Sequence, residues 1–149
     1  MLNVNPSCTL FDINWNHFIY FLSSIIYLGK GCGFRNLSHF RDALKVLKGA
    51  WNRDISRKLK SIAHMLWKDE GLLVVKVFCD SDNYMALNRE HAMICACFGH
   101  ITNVRRGSPY GLMRTWNSSE LFNFCYMLLY FALRQCIIER PPEININEL

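Results

Sequence analysis

The side chains equipped for chemistry gather early in the chain. The run IIYLGKGCGFRNLSHF, Ile25 to Phe40, sets an aromatic hydroxyl (Tyr27) before a glycine-rich turn (Gly29, Gly31, Gly33) and three basic side chains (Lys30, Arg35, His39). Glycines let a backbone approach a ligand closely and adopt positive φ. Lys30 and Arg35 are cationic donors, and the planar fork of an arginine can clamp phosphate oxygens. His39 follows Arg35 by four residues, one turn on if a helix begins early. The order GxxxxGK[ST] is absent, so this is not a P-loop. Each feature also has an ordinary reading: a glycine turn, a packing tyrosine, a structural histidine.

A second feature lies in DNYMALNREHAMICACFG. If this run is helical, the neighbours of Glu90 three and four residues away are Ala86, Leu87, Met93 and Ile94, and Cys97 extends the same stripe. A lone carboxylate on an apolar face is costly. Either it pairs with an arginine or lysine, or it binds a divalent cation. Hard cations take carboxylate oxygen, and Mg²⁺ typically keeps one carboxylate, waters and substrate phosphate.

The elements that must position these groups follow from periodicity. Apolar residues at Trp15, Phe18, Ile19, Leu22 and Ile25 predict a helix, with Asn14 as its cap. Ile26 to Leu28 reads as a short strand. Ser38 to Lys48 reads as a helix capped by Ser38 and stopped by Gly49. Asn52 to Glu70 is the clearest helix, with Ile55, Leu59, Ile62 and Leu66 as its stripe and Gly71 as its end. Its Arg53, Arg57, Lys58 and Lys60 are either a solvated face or phosphate contacts. LLVVKVFC, Leu72 to Cys79, predicts a central strand, whose Val74 to Cys79 is expected to pair with Ile26 to Leu28. Tyr84 to Phe98 and Ser119 to Ile138 are helices, the latter stopped by Pro141 and Pro142. Between them Ile101 to Tyr110 is a basic loop. Met1 to Asn14 is irregular, with a possible strand at Cys8 to Ile13. The order and segregation of these elements predict a small α+β fold: a short antiparallel sheet flanked by helices, with an extra apolar C-terminal helix.

The totals bound the function classes. At 149 residues the chain is one domain by the usual prior, long enough to bury a core, and 51% hydrophobic residues argue against disorder. A formal charge of +5 leans mildly towards polyanions. Seven cysteines, an odd number with no CxxC pair, fit a reducing compartment, nuclear or cytoplasmic, better than a disulfide scaffold. Phe18 to Leu28 is too short to span a membrane and Leu121 to Ile138 carries Asn123, Arg134 and Gln135, so both are expected as buried elements, with no membrane partner.

Taken together, the motifs FLSSIIYLGKG (Phe21 to Gly31), FRNLSHF (Phe34 to Phe40), LNREHAMI (Leu87 to Ile94) and ITNVRRGSPYG (Ile101 to Gly111) resemble the GIY-YIG endonuclease superfamily. The closer likeness is to the catalytic domain of animal ankyrin-repeat and LEM-domain endonucleases, where FISSIFY(V/I)GKG, SRPYxHL, TREAAMI and LTNxxxGxYYG are characteristic. The ending IIERPPEI is similar to that branch as well, and the likeness runs from about Trp15 to Ile144. The resemblance implies a metal-dependent endonuclease acting on branched or otherwise structured DNA with Mg²⁺ or Mn²⁺. It implies roles too. Tyr27 stands close to the attacking water, Arg35 stabilises charge on the scissile phosphate, and His39 assists proton transfer or holds the tyrosine. Glu90 binds the metal. Lys30, Arg105 and Arg106 contact substrate, and Asn103 fixes the geometry there by hydrogen bonding.

One departure stands out. The superfamily carries a first signature tyrosine on an initial strand. Here Tyr20 falls on the predicted first helix, and CTLFDI, Cys8 to Ile13, is similar to the branch's YLLID, with Cys8 in the tyrosine's place. Residues 1–14 are then a degenerate first strand and 15–149 the nuclease-like domain. The alternative function is a catalytically impaired relative that serves as a nucleic-acid-binding or protein-interaction module.

Overall fold

The computed structural model describes residues 13–30, 35–50, 53–79 and 81–144, with backbone alone for 35–37. The proposed strand at Cys8 to Ile13 therefore lies almost wholly outside the described residues, and Cys8 itself does. Among the described residues, five α-helices and a two-stranded antiparallel sheet give the expected α+β class. Two compact units divide the chain. One comprises Gly31–Val74 and Pro141–Leu149, the other Leu2–Lys30 and Val75–Arg140.

In the first unit, α2 (Arg35–Leu47) packs against α3 (Arg57–Trp67), and β1 (Leu72–Leu73) pairs with β2 (Glu143–Ile144). Phe40 and Ala43 from α2 and Leu59, Ile62, Ala63 and Leu66 from α3 are buried, as is Leu72. α2 starts three residues before its expected start, so Ser38 sits inside the helix rather than capping it. Its end is as expected. Gly49, at φ 67°, donates to the carbonyl of Val46 at 3.1 Å, and the N–H of Ala50 reaches Lys45 O at 2.9 Å. This is a Schellman turn, for which glycine is the least strained residue.

α3 is shorter than Asn52 to Glu70. Ser56 provides the N-cap, its hydroxyl accepting from Leu59 N at 3.3 Å, so Ile55 stays outside the helix and is exposed. The stop is also not Gly71. Asp69 takes the left-handed conformation (φ 55°), and Glu70 N bonds Met65 O at 2.9 Å. A short polar side chain tolerates that region better than most. Gly71 has another use: a Cβ there would run into the side chain of Glu143 on the paired strand.

In the second unit, α4 (Asn83–Cys97) packs on α5 (Ser118–Glu139), and α1 (Trp15–Ser24) packs on α5. Asn14 caps α1 as expected: its Oδ1 accepts from His17 N at 3.1 Å, while His17 Nδ1 accepts from Asn14 N at 3.3 Å. Tyr20 lies on this helix, as the alignment with the second motif requires. Phe18 and Phe21 are buried, and Phe18 meets Tyr126 of α5 edge to face at 5.0 Å. Asp82 caps α4 through Tyr84 N and Met85 N. Asn117 and Glu120 form a capping box at the start of α5. Arg140, left-handed at φ 43°, ends it before the two prolines. α5 is 22 residues long and, by length and composition, apolar enough to cross a membrane. Its inner face is occupied by protein: Cys125, Leu128, Leu129, Ala132, Leu133 and Cys136 are all buried.

The sheet differs from expectation. Neither Ile26 to Leu28 nor Val74 to Cys79 is a strand, and they form no ladder with each other. The carbonyl of Ile26 is taken by Thr102, from its N–H at 2.7 Å and its hydroxyl at 2.9 Å. Both polar groups of Leu28 are taken by the Asn103 side chain. The segment after Val74 is broken by Phe78 at φ 58°, a conformation that cannot continue a strand.

Candidate functional site

The second unit holds six of the expected site residues: Tyr27, Lys30, Glu90, Asn103, Arg105 and Arg106. The chain between α1 and the glycine turn runs extended beside Thr102 and Asn103. Asn103 imitates a strand partner: its Nδ2 donates to Leu28 O at 2.6 Å and its Oδ1 accepts from Leu28 N at 3.0 Å. Tyr27, lying between the two anchored residues Ile26 and Leu28, leaves its ring 42% exposed. That ring lies over Gly29. A Cβ at Gly29 would come within 2.7 Å of Tyr27 Cε1 and 2.8 Å of its hydroxyl oxygen, so glycine at this position lets the phenol lie flat against the turn.

Lys30 ties this turn to α4 at two points. Its main-chain N–H donates to Glu90 Oε1 at 2.8 Å, and its ammonium donates to Asn83 Oδ1. Asn83 and Glu90 are two helical turns apart, which places them along one face of α4. Glu90 is half-buried, and among the described residues no lysine or arginine side chain pairs with it; the ion pairs there are Lys45–Asp42 and Lys68–Glu70. One carboxylate oxygen is thus fixed by a backbone donor, and a hydrated divalent cation is chemically compatible with the other. No group of three or more His, Cys, Asp or Glu among the described residues could hold a metal. A cation at Glu90 must therefore draw its remaining ligands from water and phosphate, as Mg²⁺ commonly does.

Arg105 and Arg106 are exposed on the loop that follows Asn103. The Arg106 guanidinium stacks over the Phe98 ring at 4.3 Å, while its carbonyl accepts from His91 Nδ1 at 2.9 Å. His91 Nε2 then faces the Cys95 thiol at 3.6 Å. Burial pushes Cys97 and Cys125 up to about 11, which keeps both as neutral thiols; Cys95 is raised for the same reason, with Arg106 acting against it.

The first unit holds the other two. Arg35 opens α2 and His39 lies one turn further on, half-buried. His39 Nε2 is 2.9 Å from Lys58 Nζ of α3. An ammonium has only donors, so in this contact the imidazole nitrogen accepts. Desolvation lowers the Lys58 pKa from its ordinary value.

Two participants escape sequence reading. Asn83 marks only a helix start in the sequence. Lys58 reads there as one of several surface cations. Only the fold turns the first towards Lys30 and half-buries the second beside His39.

Tyr27 lies against Gly29, Glu90 accepts from Lys30 and Asn103 clamps Leu28. The chain belongs to the LEM-3-like GIY-YIG domain family, whose model matches residues 2–149. No curated protein and no solved structure significantly matches the chain. GIY-YIG domains are nucleases as a class. Membership therefore implies nuclease chemistry on DNA, for which such domains commonly use divalent metals.

Proposed function

We propose that this domain is a metal-dependent endonuclease that hydrolyses phosphodiester bonds in branched or otherwise structured DNA. The observation that carries the reading is Glu90: a carboxylate on a largely apolar helix face, held by a backbone N–H and, among the described residues, by no cationic side chain. Phosphodiester hydrolysis needs a positioned water, a cation for developing charge and an oriented phosphate. When bound, Mg²⁺ or Mn²⁺ supplies the Lewis acid. Glu90 holds the ion, with Lys30 fixing the carboxylate's orientation. Tyr27 holds the attacking water near the phosphate. His39, whose Nε2 lies 2.9 Å from Lys58 Nζ, assists proton transfer. Arg35 neutralises charge on the scissile phosphate, and Arg105 and Arg106 contact the flanking backbone. Asn103 keeps Tyr27 in place by clamping Leu28.

The test is a cleavage assay on nicked, flapped and branched DNA, with Mg²⁺ and with EDTA, using the parent chain and Glu90→Gln. Cleavage by the parent that EDTA and Glu90→Gln both abolish supports the reading. DNA binding without cleavage under any metal condition points instead to an impaired relative, a reading motivated by Cys8 in place of the first signature tyrosine.

A further inference from the structure

Beyond the cleavage residues, α4 and the loop after Asn103 carry an aromatic surface with cationic surroundings. Tyr84 follows Asn83, the residue that receives the Lys30 ammonium. Its ring is 62% exposed and lies 5.4 Å from the ring of Tyr110, at 55° to it. The guanidinium of Arg114 stands 5.5 Å from the Tyr110 ring centre and is itself fixed by a bond from Nε to Pro109 O at 3.0 Å.

This surface is built rather than incidental. Asn88 of α4 clamps the loop at Tyr110, accepting from its N–H at 2.6 Å and donating to its carbonyl at 3.2 Å. The two rings are thereby held in register without burying Tyr84, an exposed aromatic that contributes little to the core. The segment Ile101 to Asn117 contains Arg105, Arg106 and Arg114 and no acidic residue. The nearest carboxylate in sequence to Tyr84, Asp82, is engaged with the N–H groups of Tyr84 and Met85. Exposed aromatic faces beside arginines are the chemistry that binds unpaired bases, since every base has a π face and every linkage a negative charge.

We propose that Tyr84, Tyr110 and Arg114 form a stacking platform for the unpaired bases of a single DNA strand. The inference rests on the nuclease reading for its substrate, DNA, and deepens it: the strand leading to the cleavage site is single-stranded on the α4 side. Tyr84 stacks on a base through its open face. Arg114 contacts phosphate while it supports Tyr110.

The experiment measures binding with EDTA present and at low salt, by fluorescence anisotropy of a labelled oligothymidylate of about a dozen nucleotides and of a blunt duplex of equal length. Tyr84→Ala is expected to weaken oligothymidylate binding on the order of tenfold, with duplex binding nearly unchanged. Tyr84→Phe, which keeps the ring, is expected to bind as the parent does. A thermal melt checks that Tyr84→Ala remains folded. The proposal is overturned if Tyr84→Ala leaves oligothymidylate binding unchanged, or if it weakens both probes equally. Preference of the parent for an aromatic-binding peptide with no affinity for the oligonucleotide overturns it as well. Failure of the nuclease reading looks different: the parent discriminates the two probes through Tyr84 yet cleaves no flapped DNA with Mg²⁺.

Discussion

The main-chain N–H of Lys30 and the carboxylate of Glu90 are joined by a 2.8 Å hydrogen bond. The bond links a turn to a helix 60 residues further along the chain, and it orients an acidic side chain without neutralising it. Glutamine can accept the same bond through its amide oxygen, so Glu90→Gln separates charge from shape.

Glu90→Gln is accordingly expected to melt within a few degrees of the parent, because a shape-conserving change that keeps its hydrogen bond costs only about 0.5 kcal/mol. Single-turnover cleavage should fall by on the order of 10²-fold or more, the usual loss when a group stabilising transition-state charge is removed. A variant that cleaves at the parent rate makes Glu90 structural and removes the metal assignment.

Gly29→Ala isolates Tyr27. The glycine is not at positive φ, so alanine adds no backbone strain, but its Cβ would meet the phenol ring at 2.7 Å. The tyrosine must tilt away. A displacement of about 1 Å at a positioned group costs on the order of 10²-fold in rate. Cleavage should drop while oligonucleotide binding and melting temperature stay close to the parent's. Unchanged cleavage would show that the Tyr27 hydroxyl does not position the reaction.

Asn103→Leu tests the clamp. It removes two hydrogen bonds to Leu28 and leaves that residue's N–H and C=O without those partners. At roughly 0.5 to 1.5 kcal/mol each, the expected loss of stability is about 1 to 3 kcal/mol, read by urea unfolding. Amide exchange at Leu28 should accelerate in the same variant. Stability equal to the parent's would mean the loop is held chiefly by Thr102.

The buried thiols predict a pH limit. Cys97 and Cys125 are raised from the ordinary 9.0 to about 11 by burial. The folded state thus favours the protonated form more than the unfolded state does. Their contribution to stability is full below the unfolded value and is lost as pH rises from about 9 towards 11. Melting temperature should decline over that window, and both thiols should resist a disulfide reagent at pH 8 while the exposed Cys79 reacts. Fast modification of Cys97 in the folded protein would contradict the burial on which this rests.

The sequence carries the helices well because their start signals are local. Asn14, Asp82 and Asn117 each stand one residue before a helix and accept from its first free N–H groups. The starts of α2 and α3 and the end of α3 were less legible. Asp69 and not Gly71 turns the chain after α3, since a left-handed residue is required two positions earlier than the glycine. The sheet was misplaced because the valines after Leu73 look extended, whereas the partners of Ile26 and Leu28 are a threonine and an asparagine 75 or more residues away. No periodicity announces such a contact. The site fared similarly. Motif residues are visible as types in order, while Lys30's two attachments to α4 and the contact of Lys58 with His39 exist only once the helices are packed.

Asparagine side chains do the work of a β-ladder at both Leu28 and Tyr110, and that choice sets how the domain ages. Deamidation converts an amide nitrogen, a donor, into a carboxylate oxygen, which only accepts. At Asn103 the new oxygen would face the carbonyl of Leu28 2.6 Å away, and at Asn88 it would face that of Tyr110 at 3.2 Å. Acceptor then opposes acceptor, with an added negative charge beside the basic loop. Chemical wear at two carboxamides would loosen the loop and repel its substrate while the helical core remained intact, so an old preparation could keep its circular dichroism and lose its affinity for DNA.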